Sequence, residues 1–418
     1  MELMELVRQH YDELVAIRRY CHEHPELSDQ EIQTMAFIQE KLDSYGIANR
    51  HIDGGGILAW IDGAKPGKTI LLRADIDALP IEENKTNLAC PKACVSQTPG
   101  VMHACGHDAH IAMLLMEGKL LNGMKADWDG RVILMFEQGE ELTGNVRNIL
   151  RFIENESGWT IDTCYATHVR WDIPSGKVAV CEGPAMAGGF GFKIRLTGQG
   201  GHGSRPDLAD SPIDCFTAFY HDLQALRMRT VSPMECLTLS IGTLHSGELL
   251  NVIPNELTFS GTSRFFSYEN AGKAFYEQFL AILKNDCANY NCQYKILRMP
   301  KPLYEVQNDD TCVKLARQAL TKRVGPDVLT DVHPWMASET MALTLRLYPG
   351  VLTFTGIASA AVGSGANHHT PEFDVDEEGL VYGTAAAIAY ALEFLHTQPA
   401  IPFTRHIVSL EDLISRNL

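Results

Sequence analysis

Between residues 188 and 300 the chain changes its pattern, and that change constrains the fold more than any other feature. GGFGFKIRLTG reads as a strand, SPIDCFTAFYHDLQALRMR as a helix opening at Ser211 and Pro212, and CLTLSIGTLHSG and NELTFSGTSRFF as two more strands. SYENAGKAFYEQFLAILKNDCANY is a second helix and CQYKILR a last strand. Strand, helix, strand, strand, helix, strand is the split arrangement of a ferredoxin-like α+β unit. On either side the pattern is different. Residues 1 to 47 read as helical, interrupted at HPELSDQE and resuming from Ser28, with Glu31 three residues on as a capping partner. GGGILAWIDG and KTILLRADIDALPI are strands bounded by glycines and a proline, HIAMLLMEGKLL is a helix, and RVILMFEQGEE is a buried strand with a polar end. After the interruption come a helix through CVKLARQALTKRV, a strand at GVLTFTGI and a final helix, GLVYGTAAAIAYALEFL. The expectation is an α/β protein with a mixed, largely parallel sheet flanked by helices, formed by residues 1–187 plus 301–418. A smaller ferredoxin-like α+β domain, 188–300, is inserted into it. A length of 418 residues, more than one core usually supports, agrees with two domains.

Charge and composition exclude several classes of function. A formal net charge of −17 is the wrong sign for a chain that must offset phosphates, so no nucleic-acid partner is expected. No apolar run approaches the ~18 residues of a membrane span, and MELMELVRQHYDELVAIRRY lacks the apolar core and cleavage site of a signal peptide. No membrane partner is expected either. The 11 cysteines are odd in number and scattered, which suits a reducing cytoplasm better than a disulfide framework.

The densest chemistry lies in VMHACGHDAH, residues 101 to 110. Cys105 and His107 stand two apart, so a short turn can aim both at one point, and thiolate with imidazole suits zinc or a similar ion. Glu140 and Glu141 close FEQGEE, and both serve one centre only where the strand ends in a bend. CYATHV ends a short strand pattern with His168, and GANHHTPEF puts His368 and His369 in a glycine-rich loop. Such pieces fit a two-metal hydrolytic site in which one carboxylate ligates and the other is a general base. Asp75 and Asp77, in LRADIDALP, either orient metal-binding histidines or cap a turn. Three rivals use the cysteines or drop the chemistry. Cys90 and Cys94 could join Cys105 and His107 in a structural zinc site, Cys105 could be a nucleophile, or the chain could bind without turnover. GQGGHGS matches G-x-G-x-x-G, but Pro206 and LADS delay the next helix to Ser211, so a dinucleotide reading fails.

In order along the chain, HEHPELS, LRADIDALPIEE, MHACGHDAH, EQGEE, THVRWDIPSGKVAV, TGQGGHGSRPD, NVIPNELTFSGTSR and HHTPEF resemble the dinuclear metallo-aminoacylase and carboxypeptidase family. The match is to its amidohydrolase branch of hippurate hydrolases, N-acetyl-diaminopimelate deacetylases, aminobenzoyl-glutamate hydrolases and auxin-conjugate hydrolases. The resemblance implies a phosphorylase/hydrolase-like catalytic domain with an inserted lid that also forms homodimers or higher homo-oligomers. It implies two divalent ions per subunit, zinc or manganese before cobalt or nickel, held by Cys105, His107, Glu141, His168 and His369. Glu140 takes the family's general-base position and Asp77 its orienting aspartate. His202 resembles an oxyanion-stabilising histidine that in several relatives reaches across from the other subunit. Asn251 and Arg264 resemble contacts to the substrate carboxylate or the oxyanion. The implied reaction is hydrolysis of N-acyl amino acids or related amide conjugates through a metal-activated water. Three departures stand out: Gln138-Gly139 where the branch has proline-alanine, Thr340-Met341 after Ser338-Glu339 where it has aspartate-phenylalanine, and Gly203-Ser204-Arg205 before Pro206 where it has an alanine pair. The first two put substrate preference in question.

Overall fold

The computed structural model describes residues 2–142 and 144–416. The chain divides into two compact units. The first comprises residues 1–185, 307–333 and 344–410, and the second 186–306, 334–343 and 411–418. The second unit thus gathers two short segments, 334–343 and 411–418, that the pattern of strands and helices does not assign to it.

The first unit is built on an eight-stranded sheet in the order Ala48–Ile52, Gly56–Asp62, Arg131–Glu137, Thr69–Asp75, Thr163–Pro174, Gly350–Ala358, Val178–Ala179, Leu329–Thr330. Its four central strands, from Arg131–Glu137 to Gly350–Ala358, run parallel, whereas Ala48–Ile52 and Gly56–Asp62 pair antiparallel at one edge. The central strands are buried on both faces, which is why they read as near-continuous apolar runs such as TILLRA and VILMF. The helices His107–Gly123 and Glu378–Thr397 lie almost wholly within the core, and MLLM and AAAIAYAL leave them no polar face to turn to water. Strand Thr163–Pro174 continues six residues past His168, beyond the short strand that CYATHV suggests. It keeps its pairing to Gly350–Ala358 there through a register shift after Gly356.

The second unit carries a four-stranded antiparallel sheet, ordered Leu237–Ser246, Glu256–Phe265, Gly188–Thr197, Gln293–Arg298. Helices Pro212–Thr230 and Lys273–Asn289 cover one face over a phenylalanine-rich core of Phe190, Phe192, Phe219, Phe259 and Phe279. Ser211 caps the first of these helices by accepting from the Asp214 N–H. The other helix start inferred from sequence does not form as expected. Helix Ile32–Ser44 begins four residues after Ser28, whose hydroxyl instead donates to Asp77 Oδ2 at 2.6 Å. Glu31 is likewise drawn away from a capping role. Among the described residues no helix is long and apolar enough to cross a membrane, and none of the eleven cysteines is in a disulfide.

Candidate metal centre

In an open α/β sheet, ligands collect beyond the C-terminal ends of parallel strands, and here those ends deliver the donors. Asp75 ends Thr69–Asp75 and Asp77 follows it, Glu140 and Glu141 follow Arg131–Glu137, and His168 lies in Thr163–Pro174. Cys105 and His107 are turned toward them by Gly106, whose φ of +89° suits glycine alone. A Cβ there would come within 2.3 Å of Val169 Cγ2.

Hydrogen bonds assign the imidazole tautomers. His107 Nδ1 donates to Asp77 Oδ1 at 3.0 Å, which leaves Nε2, a buried atom without a hydrogen-bond partner, as the ring position open to a proton or an ion. His168 Nδ1 donates to the Val169 carbonyl at 2.7 Å and presents Nε2 to Cys105 Sγ at 3.6 Å. His110 has nothing left to give: Nε2 accepts the Val169 N–H at 2.9 Å and Nδ1 donates to Asp75 Oδ1 at 2.5 Å. Glu141 Oε1 is buried without a hydrogen bond, 3.2 Å from His369 Nε2 and 3.9 Å from His107 Nε2. The Glu141 N–H donates to Asp77 Oδ2 at 3.0 Å. One aspartate therefore steadies both a histidine and the bend that bears the glutamate pair.

The donor atoms of Cys105, His107 and His168 all lie within 4.8 Å of one another, and so do those of Cys105, Glu141 and His369. The two triads share the sulfur. Glu140 falls in a third such group with His107 and Glu141. Asp75, His107 and His110 also cluster, but His110 is spent and Asp75 is engaged by Arg73 at 2.9 Å, so this group supports rather than ligates. Charge fits the same picture. Burial pushes the Cys105 thiol well above its usual range, and the Glu141 carboxylate adds to the rise. His107 is held well above its ordinary value: burial opposes its charged form, but Asp75 and Cys105 outweigh burial. Burial, with neighbouring histidines, drives His168 well below its ordinary value. Asp77 is lowered, because its bond to His107 overcomes its burial. A thiol, imidazole lone pairs and surplus carboxylates converging in a buried pocket form a donor set that suits divalent transition ions.

The cysteine rival is not what the chain builds. Cys90 Sγ donates to the Val362 carbonyl at 3.2 Å and Cys94 Sγ accepts from Arg18 at 3.1 Å. Among the described residues neither joins a group of three donors.

Three expected site residues lie in the second unit. His202 Nδ1 accepts from the Ser204 N–H at 3.1 Å, so a neutral ring carries its proton on Nε2, facing outward from an exposed turn. Asn251 is beside it, its carbonyl taking the Gly203 N–H at 2.8 Å. Arg264, part-buried and without a carboxylate partner among the described residues, pairs with Gly189, whereas the His202 turn follows Thr197. Eight residues of extended strand separate those positions, which is about 26 Å. The second unit therefore brings His202 and Asn251 together and holds Arg264 far from both.

The departures have local structural roles. Gln138 donates its backbone N–H to Gly55 at 3.0 Å and its side-chain amide to Glu31 at 2.9 Å, and Glu31 also takes the Gly139 N–H at 2.8 Å. A proline at 138 has neither donor. Glu339 accepts the Met341 N–H at 2.9 Å, at the start of the helix Met341–Leu347. Ser204 fixes the His202 ring, as above. Glu31, His22 and Glu83 were missed as site residues in the sequence, where only the place of His22 in HEHPELS and of Glu83 in LPIEE could have flagged two of them.

Comparison with known proteins gives this geometry its context. The chain is 33% identical over 394 residues to thermostable carboxypeptidase 1 of Saccharolobus solfataricus, covering 93% of this chain and 97% of that one. It is 34% identical over 388 residues to the N-acetylcysteine deacetylase of Bacillus subtilis, covering 92% and 97%. The crystal structure of the Bacillus subtilis YxeP protein, a dinuclear metal-binding peptidase, superposes with a TM-score of 0.76 at 30% identity over 93% of this chain and 99% of that one. The model of the peptidase family M20/M25/M40 matches residues 71–393. With that match spanning most of the sequence, and a cysteine-sharing pair of donor triads at its centre, the chain belongs to the peptidase family M20/M25/M40.

Proposed function

We propose that this metal-dependent amidohydrolase cleaves the amide of N-acyl amino acids, releasing the acid and the free amine. The observation that carries the reading is the pair of donor triads sharing Cys105, with Glu140 beside them. Cys105, His107, Glu141, His168 and His369 would hold two divalent ions, zinc or manganese. Such ions polarise a carbonyl and make water a competent nucleophile at neutral pH. The chain's own groups do the rest. Glu140 accepts the proton of the attacking water and returns it to the leaving nitrogen. Asp77 keeps the His107 proton on Nδ1, so Nε2 stays a ligand. The Nε2–H of His202 and the side chain of Asn251 meet charge as it develops on the carbonyl oxygen. Arg264 is the natural counter-ion for a substrate carboxylate. Its distance from His202 within one chain supports a homodimer or higher homo-oligomer in which His202 serves its neighbour. The edge strand Leu237–Ser246 offers unpaired backbone for such contact. The names of the relatives, a carboxypeptidase and an N-acetylcysteine deacetylase, support an amide next to a carboxylate as the substrate class.

The test is amine release from a panel of acetyl, benzoyl, long-chain and indolyl amino acids with added manganese or zinc. Glu140→Gln should lower the rate on the order of 10²- to 10⁴-fold. No release by a metal-loaded chain across the panel would refute this substrate class.

A further inference from the structure

A chain of buried polar groups connects two of the segments that carry candidate donors, the one with Cys105 and His107 and the one with His369. It starts at Asp108, next to His107. Asp108 Oδ2 lies 2.9 Å from His22 Nδ1 and 2.8 Å from Arg18 Nε. The other ring nitrogen of His22 meets Glu83 Oε1 at 2.9 Å, and the same carboxylate oxygen accepts from Lys92 Nζ at 2.8 Å. Lys92 then donates to the carbonyl of Pro371 at 2.9 Å, two residues beyond His369. Its side chain is 0% exposed. A fully buried ammonium is costly unless its donors are met, and here one of its two partners belongs to the loop of a candidate metal ligand.

That loop needs holding. His369 has φ +60°, a left-handed conformation that a residue with a side chain adopts only where its surroundings over-determine it. Its N–H donates to the Ala104 carbonyl at 2.9 Å, which fastens it to the HACGHD loop. Asn84 N–H adds a second donor to Pro371 at 3.1 Å, and Asn87 Nδ2 reaches Asp374 at 2.8 Å. The segment from Glu83 to Lys92 thus clasps the loop just after His369, with Lys92 as its one charged and fully enclosed contact.

We propose that Lys92 is a positioning residue that sets His369, and so the triad of Cys105, Glu141 and His369, through the Pro371 carbonyl. The inference rests on the metal-centre reading above. It predicts an asymmetric defect. Lys92→Met keeps the length of the side chain and removes both donations, so that the Pro371 carbonyl retains only the Asn84 N–H and Glu83 retains its contacts with His22 and the Ser96 N–H. The ion held by Cys105, Glu141 and His369 should bind about 10- to 100-fold more weakly, as when partners behind a metal ligand are lost. The ion held by Cys105, His107 and His168 should bind nearly as before, and Lys92→Arg should recover much of the loss.

The experiment is equilibrium dialysis of the full chain against manganese or zinc with a competing chelator, well below the melting temperature of each variant. Two ions on the wild type, with one selectively weakened in Lys92→Met and regained in Lys92→Arg, supports the pin. Two ions bound by Lys92→Met with unchanged affinities overturns it. Equal weakening of both ions alongside a lower Tm also overturns it, since that is the mark of a merely structural lysine. A wild type that binds no divalent ion sinks the metal-centre reading and the pin together. Should Lys92→Met fail to fold, Lys92→Gln, which retains one donor, is read by the same outcomes.

Discussion

His107 and His168 arrive at the centre with their protons already assigned, because Asp77 and the Val169 carbonyl each take an Nδ1–H. Both rings are thereby turned with Nε2 toward the candidate centre before any ion binds. Glu31 shows the same logic with a titrating group. Burial, reinforced by the nearby Asp77 charge, pushes its carboxyl up to about 7, against an ordinary 4.5. Because the folded value is the higher one, the proton favours the folded state. The contribution is fully present below pH 4.5 and is lost as the pH rises through 7. Glu31→Gln, neutral throughout, should flatten this slope, so its Tm should gain on the wild type as pH climbs from 5 to 8. Thermal melts across that range check it, and parallel curves for the two proteins would contradict the assignment. Legibility at this scale was uneven. The spacing of Cys105 and His107 suggests a shared centre but is a weak signal alone, and the ordered motifs around it supply the rest. Glu31 reads as the partner of a Ser28 cap, and the structure assigns both elsewhere because Asp77 and Gln138 compete for them. That competition spans 49 residues for Ser28 and 107 for Glu31, beyond the reach of any local pattern.

The elements themselves were easier to read, since TILLRAD, RVILMFE and GVLTFTGIA are long apolar runs with clear ends. What periodicity does not give is where a strand stops being only a strand. CYATHV suggests that His168 terminates its strand, yet pairing to Gly350–Ala358 carries on to Pro174, and the histidine sits inside a ladder. The junction between Cys105 and helix His107–Gly123 is similarly local. Gly106 combines a left-handed backbone with a wall at Val169, so Gly106→Ala meets strain and steric conflict at once. It should cost about 1–3 kcal/mol. Because the glycine aims two expected ligands, metal retention against a chelator should fall as well. A folded Gly106→Ala chain with wild-type Tm and metal content would show that the turn has slack.

At the scale of the molecule, the split strand-helix order of residues 188–300 was enough to foresee a separate antiparallel sheet. The short segments 334–343 and 411–418 that join the second unit carry no pattern that announces it. The placement of His202 and Arg264 could not be read from the sequence either, since register decides it. If both act on one substrate, mixing two disabled chains should restore function. A Glu140→Gln chain supplies an intact His202, and a His202→Ala chain supplies an intact Glu140. Co-refolded equimolar mixtures should recover up to about a quarter of wild-type activity per chain. A mixture no more active than its parents would place His202 on its own chain's chemistry or outside it.

If His202 serves a neighbouring chain, the ladder that sets Arg264, paired with Gly189, eight strand residues from Thr197 has a consequence for how the enzyme responds to its own abundance. A catalytic apparatus divided in that way would obey mass action. Turnover per chain would then fall on dilution below the dissociation constant of the oligomer, as subunits that each retain every side chain lose their neighbour's. In a cell, output would rise more steeply than the amount of protein made.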